Sequence, residues 1–256
     1  MSERGRAVYL GWDVGGWNCD HNPASRDALV LLDASLNMLG TPWRGNLRET
    51  LNAAASPRDL VTRLLALCGL SASGNERLVM AIDTPLALPQ ALLALARGEP
   101  AASLGRSQDN PYLYRQTERW LFKHGVTPLS PIKDMIGSQA TKGMHLLARF
   151  APHIIACGQW QSDDGALMAV EGYPSPAKRS VALANLQARC QLPAEWQSAL
   201  TTPTQKQQDL QDAWLCALVA WSLEHACALL AWPPAEMPAA EGWIFVPQDA
   251  LFKAPK

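Results

Sequence analysis

Three apolar runs in this sequence end at an acidic residue, and this pattern constrains the fold more than any other feature. The runs and their acids are AVYLGWD with Asp13, ERLVMAID with Asp83 and ALMAVEGYP with Glu171. A continuous apolar run reached through a helix is typical of a central parallel strand, because both faces of such a strand are buried. Ligands of open α/β sheets bind beyond the carboxyl ends of the strands. We therefore expect the three acids at one edge of a single sheet.

The remaining patterns predict an α/β fold with a mixed sheet. Apolar runs at 28–33 and 35–40 are separated only by a short link, and with the first strand they predict three antiparallel strands. Helical patterns cover 56–70, 89–98, 114–125, 132–150, 175–190 and 204–232. A last short strand is expected at 242–247. Right-handed crossovers through the helices would then add the later strands in parallel.

The composition is that of a globular protein. The chain has 256 residues, of which 48% are hydrophobic and 18% are charged, so a substantial core can form. We interpret residues 1–256 as a single domain with a helical insertion around 89–150. The formal net charge of −1 gives no general attraction to nucleic acid.

The cysteines and the N-terminal segment predict a reduced, cytoplasmic protein. The six cysteines form no Cys-x-x-Cys pair and no Cys/His spacing typical of zinc. The segment MSERGRAVYL has too short an apolar run for a signal peptide, and no 18 consecutive residues are apolar. We therefore expect no membrane partner. The sequence leaves open whether the protein forms a homodimer.

Acids that converge at a sheet edge need a cation, because like charges in one place repel and raise each other's pKa. Oxygen ligands without His or Cys favour Mg²⁺ or Mn²⁺. The helix at 204–232 adds Asp209 and Asp212, which lie three residues apart and so share a face. In the alternative interpretation, these two acids only stabilise the helix, because their negative charges lie near the positive, N-terminal end of the helix dipole.

The segment GWDVGG (11–16) also allows two interpretations. Asp and Gly are turn residues, so Asp13 can simply end a strand in a turn. In the functional interpretation, Asp13 binds metal ions, and Gly15 and Gly16 let a phosphate backbone come close. The convergence of several acids favours the second interpretation.

Six segments in order resemble a family of predicted nucleases with the ribonuclease H-like fold, described mainly as a domain of unknown function. The segments are GWDVGG, AIDTPLALP, RQTERWLF, EGYPSPAKR, DLQDAWLCALVAW and EGWIFVP. The resemblance covers about residues 7–247. The D-x-x-D-A helix is also similar to the C-terminal acidic helix of RuvC-type Holliday junction resolvases. The resemblance implies a three-layer ribonuclease H-like fold with helices on both faces of the sheet.

The same resemblance implies a metal site that hydrolyses phosphodiester bonds of DNA or RNA. The acids implied as catalytic are Asp13, Asp83, Asp209 and Asp212, and Glu171 joins them as a metal ligand near the rim. Two Mg²⁺ or Mn²⁺ ions would activate water and stabilise the leaving oxygen. The resolvase branch often has Glu at the position of Asp83, which is a departure from that pattern.

Three further residues are candidates for contact with the substrate or its surroundings. Arg115 and Glu118, from the R-x-T-E-like motif, form either an ordinary surface pair or a phosphate-binding group with Glu118 at the rim. Lys178 follows Glu171 and either contacts a phosphate or is solvated. Together with Gly15 and Gly16, these residues complete the expected substrate site.

Two other functions fit parts of the sequence. A nucleotide-dependent kinase of the sugar-kinase and actin-like class also carries D-x-G-G on its first strand. Such kinases usually have a second Gly-rich phosphate-binding turn, whereas AIDTPLALP has no glycine after its acid. A non-catalytic binding module on the same fold is the second alternative, and the retention of all the acids argues against it.

Overall fold

The structure is a computed structural model that describes residues 6–22, 25–99 and 103–252. The two ends of the predicted 1–256 domain therefore lie outside the described residues. Within the described ranges, no helix combines the length and the apolar character needed to cross a membrane.

An open, mixed sheet forms the centre of the protein. Its strands are β1 (Ala7–Asp13), β2 (Asp27–Leu32), β3 (Trp43–Gly45), β4 (Arg77–Asp83), β5 (His153–Ala156), β6 (Gln159–Gln161), β7 (Leu167–Gly172) and β8 (Ile244–Phe245). The spatial order is β3-β2-β1-β4-β7-β6-β5, and β8 pairs with β7. The pairs β1–β4, β4–β7 and β7–β8 are parallel, and the others are antiparallel. The predicted α/β class with a mixed sheet is confirmed.

Helices cover both faces of this sheet. They are α1 (Arg48–Ala53), α2 (Pro57–Leu67), α3 (Gln90–Ala96), α4 (Gln116–Lys123), α5 (Gly137–Phe150), α6 (Pro174–Ala177), α7 (Val181–Arg189), α8 (Ala194–Thr201) and α9 (Gln208–His225). One core lies between the sheet and α9, with α4, α7 and α8 beside it. The other core lies between the opposite face and α1, α2 and α5. Alternate strand residues point to opposite faces, which explains why the strands are apolar throughout.

Helix α9 packs against the sheet at very short range, and Gly11 in β1 makes this possible. A methyl group added to Gly11 would lie 1.7 Å from the carbonyl oxygen of Ala213 in α9. Because the helix is buried along most of its length, its position over β1 is fixed by this contact. The acidic end of α9 is thereby held near the carboxyl end of β1.

The strand predicted at 35–40 is wrong. Asp33 accepts hydrogen bonds from the backbone N–H groups of Ser35 and Asn37, at 2.8 and 2.9 Å, and closes a tight turn. After the turn, the chain pairs with β2 only briefly: Met38 forms a bridge with Leu32, and the N–H of Leu39 donates to the carbonyl oxygen of Leu31 at 2.9 Å. The third strand of the sheet is instead β3, further along the chain.

Several other boundaries differ from the sequence prediction. Helix α5 begins five residues later than the predicted start at 132, and the helix predicted at 175–190 is divided into α6 and α7. Strands β5 and β6 and helices α1 and α8 were not predicted. β5 is exposed over its whole length, so it carries no buried apolar pattern. Helices α3, α4 and α5 all lie between β4 and β5, in the region interpreted as a helical insertion.

Candidate metal centre

Asp13 and Asp83 lie side by side at the carboxyl ends of the parallel strands β1 and β4, where they are register partners. Burial and the charge of Asp212 raise the pKa of Asp83 to about 7. Burial raises the pKa of Asp13 well above its usual range, and the charge of Asp83 adds to this effect. The two carboxyl groups also hydrogen-bond to each other. In the absence of a cation, such a pair avoids repulsion by sharing one proton.

Asp212 brings a third carboxylate to this pair from α9. Its charge raises the pKa of both Asp13 and Asp83. Its own pKa is raised by burial, and this effect is opposed by Lys178, whose Nζ lies 2.6 Å from Oδ1 of Asp212. Lys178 therefore acts as the cation that balances part of the negative charge of the site. The sequence predicted that Lys178 either contacts a phosphate or is solvated, and in the structure it pairs with the carboxylate of Asp212.

Asp209, one turn earlier on α9, has a different partner. The Nε atom of Arg44, on β3, lies 2.5 Å from Oδ2 of Asp209, whose side chain is nearly buried. Asp209 still contributes to the raised pKa of Asp13, although less than Asp83 and Asp212 do. The two acids of the D-x-x-D motif are therefore separated in function: Asp212 belongs to the strand pair, and Asp209 is neutralised by an arginine.

Glu171, the third strand acid, is held by Arg115 in a buried ion cluster. Both nitrogens Nη1 and Nη2 of Arg115 donate to the Glu171 carboxylate at 2.7 Å, and the backbone N–H of Leu86 donates to Oε2 at 2.9 Å. Burial raises the pKa of Glu171, and the guanidinium opposes this shift. The carboxylate lines the cleft beside Asp83, but its oxygens already have strong partners. We therefore assign Glu171 to the support of the site.

Arg115 and Glu118 do not form a substrate contact in this structure. Both side chains are fully buried, and the guanidinium donates to Glu118 through Nε at 2.8 Å and Nη2 at 2.5 Å. Nη1 also donates to the carbonyl oxygen of Glu241 at 3.2 Å, so all five N–H groups of Arg115 have acceptors. The expectation that Arg115 binds a phosphate is corrected on this ground, since no donor is left for it.

Gly15 and Gly16 are packed against protein rather than open to a ligand. A methyl group on Gly15 would lie 2.7 Å from the backbone nitrogen of Asp27, and one on Gly16 would lie 2.9 Å from Oγ of Ser138. The N–H of Gly15 donates to Oδ1 of Asp27 at 2.9 Å. The two glycines thus allow the loop after β1 to fold tightly. The expected close approach of a phosphate to them is not supported by these contacts.

Asp27 and Lys142, which the sequence motifs did not indicate, form a buried ion pair beneath this loop. Both side chains are fully buried, and Nζ of Lys142 contacts Oδ2 of Asp27 and lies 3.0 Å from Oδ1 of Asn46. The indole N–H of Trp12 and the backbone N–H of Leu47 also donate to Asp27, at 3.0 and 2.6 Å. Burial raises the pKa of Asp27, and Lys142 opposes this shift. This pair ties α5 to the start of β2.

The carboxylate oxygens of the site are suitable ligands for a hard divalent cation. Their arrangement in this structure, however, is not that of a set of metal ligands. In residues 6–22, 25–99 and 103–252, no group of three or more His, Cys, Asp or Glu side chains is arranged to hold a metal ion. The reason is visible in the contacts: Asp13 and Asp83 bond to each other, and Lys178 occupies an oxygen of Asp212. A divalent cation would replace the shared proton and the ammonium group, since it carries the charge of both.

A cleft of about 450 Å³ opens beside the carboxylates. Its polar lining includes Asp13, Asp83, Thr84, Gln139 and Glu171. Oγ1 of Thr84 and Oε1 of Gln139 are buried and have no hydrogen-bond partner among the described residues. Polar atoms of this kind normally have a partner, so they indicate the place of a ligand or water.

Comparison with known proteins finds no matching family model, no matching curated protein and no matching solved structure. The resemblance to ribonuclease H-like nucleases therefore stays a prediction that depends on the sequence motifs.

Proposed function

We propose that this protein is a divalent-metal-dependent nuclease with a ribonuclease H-like fold, and that Asp13, Asp83 and Asp212 hold the metal. The observation that carries the proposal is the pair of Asp13 and Asp83, half-buried on adjacent parallel strands. Two carboxyl groups in contact and partly removed from water are unfavourable unless a cation or a proton lies between them. If Asp13 only ended β1 in a turn, a second acid, Asp83, would not be required beside it at the same register of β4.

The arrangement of the sheet supports the ribonuclease H-like part of the proposal. Antiparallel strands β1, β2 and β3 are followed by parallel additions of β4 and β7, as the resemblance implies. Helix α9 lies across β1, β2 and β4 with its acidic end toward the two strand acids. This combination matches the order of the motifs in the sequence.

The proposed roles follow from the contacts of each acid. Asp13 interacts with Asp83 and with the acids of α9, so it would be the ligand shared between metal ions. Asp83 and Asp212 would complete the set, and Asp209 would stay on Arg44. Bound Mg²⁺ or Mn²⁺ would supply a water molecule of lowered pKa and a positive charge at the leaving oxygen. All-carboxylate ligation agrees with these ions and not with zinc.

Lys178 and Glu171 would support this chemistry from the sides. Lys178 is about one-third exposed, and its ammonium group would be free for a substrate phosphate once Asp212 binds a metal. Glu171 accepts the N–H of Leu86, three residues after Asp83, and so fixes the segment that follows β4. Arg115 holds Glu171 in that position.

Cleavage of nucleic acid tests the proposal. With Mn²⁺, the wild-type protein should cleave at least one member of a panel of single-stranded, duplex and branched DNA and RNA, and EDTA should stop the reaction. Asp212→Asn should lower the rate on the order of 100-fold, because a ligand of the metal is lost while the fold is kept. Asp163→Asn, at a carboxylate whose side chain is 81% exposed, is the matched control and should keep full activity.

Two outcomes would reject the proposal. One is cleavage that is equal in wild type and Asp212→Asn, because the site would then lie elsewhere. The other is micromolar binding of ATP in a parallel titration together with no cleavage of any substrate, which would favour the kinase alternative.

A further inference from the structure

We propose that the cleft beside the carboxylates binds one unstacked nucleotide of a single strand, with its base on an apolar wall and hydrogen-bonded to Thr84 and Gln139. This inference names the substrate class of the proposed nuclease site and rests on that function. It is carried by two unpartnered polar side chains, by the lining of the cleft and by its size.

Thr84 is the first of the two polar side chains. It follows Asp83 directly, lines the cleft and is only 5% exposed, yet its hydroxyl has no partner among the described residues. Its methyl group packs on α5, where a methyl added to Gly143 would lie 2.5 Å from Cγ2 of Thr84. The close packing of the methyl fixes the side chain and leaves the hydroxyl without a bond. A buried hydroxyl in this state destabilises the free protein, and a ligand that bonds to it would remove this cost.

Gln139 is the second of the two unpartnered polar side chains. It lies in the first turn of α5 and lines the same cleft, and its buried Oε1 atom also has no partner in the described part of the chain. An amide side chain is both donor and acceptor, as are the edges of nucleobases. Among the residues that the structure describes, no side chain caps the start of this 14-residue helix, and its positive end would attract a neighbouring phosphate.

The rest of the lining is suited to the face of a base. The apolar residues of the cleft are Val14, Pro85, Pro128, Leu129, Ile136 and Ile244. The ring of Tyr173 also lines it and is held in place because its hydroxyl donates to the carbonyl oxygen of Thr127 at 3.1 Å. Leu129 is 51% exposed, and the same segment carries the exposed side chains of Ile132 and Met135. An aromatic ring such as that of Tyr173 stacks on a base of any sequence, and the apolar side chains beside it would cover the rest of the face of that base.

The position of Thr84 selects a single strand over a duplex. The side chain is nearly buried, so a base can reach its hydroxyl only after it leaves the stack of a helix. A cleft of about 450 Å³ has the size of a small-molecule site and suits one nucleotide. The next phosphate would then lie toward the carboxylates, where cleavage is proposed.

Binding without cleavage tests this inference. The probes are labelled single-stranded pentanucleotides of each base, a hairpin duplex of the same sequences and the four nucleoside monophosphates, measured by fluorescence anisotropy and calorimetry with Ca²⁺ in place of Mg²⁺. We expect a pentanucleotide to bind at least about 10-fold more tightly than the duplex and the monophosphates. Thr84→Val and Gln139→Leu should each weaken this binding by about 5-fold or more. Thr84→Val should also raise Tm, because it removes an unpaired buried hydroxyl.

Ser222→Ala is the matched control. Its hydroxyl is buried but donates to the carbonyl oxygen of Leu218 at 2.7 Å, near the other end of α9. This variant should lower Tm and leave the affinity unchanged. Unchanged affinity in both Thr84→Val and Gln139→Leu would overturn the inference, and so would a duplex or a monophosphate that binds as tightly as the single strand. Cleavage in Mn²⁺ that persists in that case would leave the nuclease proposal intact, whereas Thr84-dependent binding in Ca²⁺ together with no cleavage in Mn²⁺ would reject only the nuclease.

Discussion

Arg115→Met is expected to destabilise the protein by about 3–5 kcal/mol, because it leaves the carboxylates of Glu118 and Glu171 buried without their partner. The guanidinium is fully buried and makes hydrogen bonds to both acids and to a backbone carbonyl. Urea unfolding at pH 7.5 measures the effect. The deficit should shrink at about pH 5, because burial raises the pKa of Glu171 and its carboxyl group can take up a proton once the guanidinium is gone.

Arg63→Met is the control for this experiment. Arg63 pairs with Asp59 one turn away on α2, and its side chain is 42% exposed. Exposed pairs of this type contribute about 0.3–0.5 kcal/mol, so the control should lose little stability. If Arg115→Met lowers the free energy of unfolding no more than Arg63→Met does, the buried cluster does not stabilise the fold.

Without metal, the stability of the wild-type protein is expected to fall as pH rises from about 4 to about 7. Asp83 has a raised pKa of about 7 in the folded state, against an ordinary value of 3.8. A group whose folded pKa is raised stabilises the fold fully below its unfolded pKa and loses that contribution as pH passes through the folded pKa. The loss should be on the order of 2–4 kcal/mol, given about 1.4 kcal/mol for each pKa unit and the partial exposure of the side chain.

Asp83→Asn isolates this effect. The variant cannot lose a proton at position 83, so it should match the wild type near pH 4.5 and exceed it by about 2 kcal/mol or more near pH 7.5 in EDTA. Unfolding free energies of the two proteins at several pH values give the difference directly, and contributions of titrating groups that do not contact Asp83 largely cancel. The difference therefore reports the titration of the Asp13 and Asp83 pair as a unit. Parallel stability curves for the two proteins would contradict the shared-proton description of the site.

The strand acids were predictable because their signal is local. An apolar run followed by an acid identifies β1, β4 and β7 without any knowledge of the rest of the chain. The parallel pairing of β1 with β4 then brings Asp13 and Asp83 to the same register. The run at 35–40 shows the limit of such patterns, because the turn at Asp33 and pairing with a distant loop residue, Gln191, decide its conformation.

The partners of the charged residues were not predictable, because they are distant in sequence. Arg44 is 165 residues from Asp209, and Arg115 is 56 residues from Glu171. The spacing of Arg115 and Glu118 correctly indicated an ion pair, but burial turned that pair into an internal support instead of a phosphate contact. Lys142 could have been recognised, since it lies four residues before Leu146 on the buried face of α5.

Titration of Mn²⁺ into the metal-free protein at pH 7.5 tests the central claim most directly. The account predicts binding to the wild type with release of protons, because the metal replaces the proton shared by Asp13 and Asp83. Lys178→Gln should bind more tightly than the wild type, since no ammonium group then competes for Asp212. Asp13→Asn should bind at least about 10-fold more weakly. Binding in Asp13→Asn that equals the wild type, in affinity and in proton release, would contradict the account.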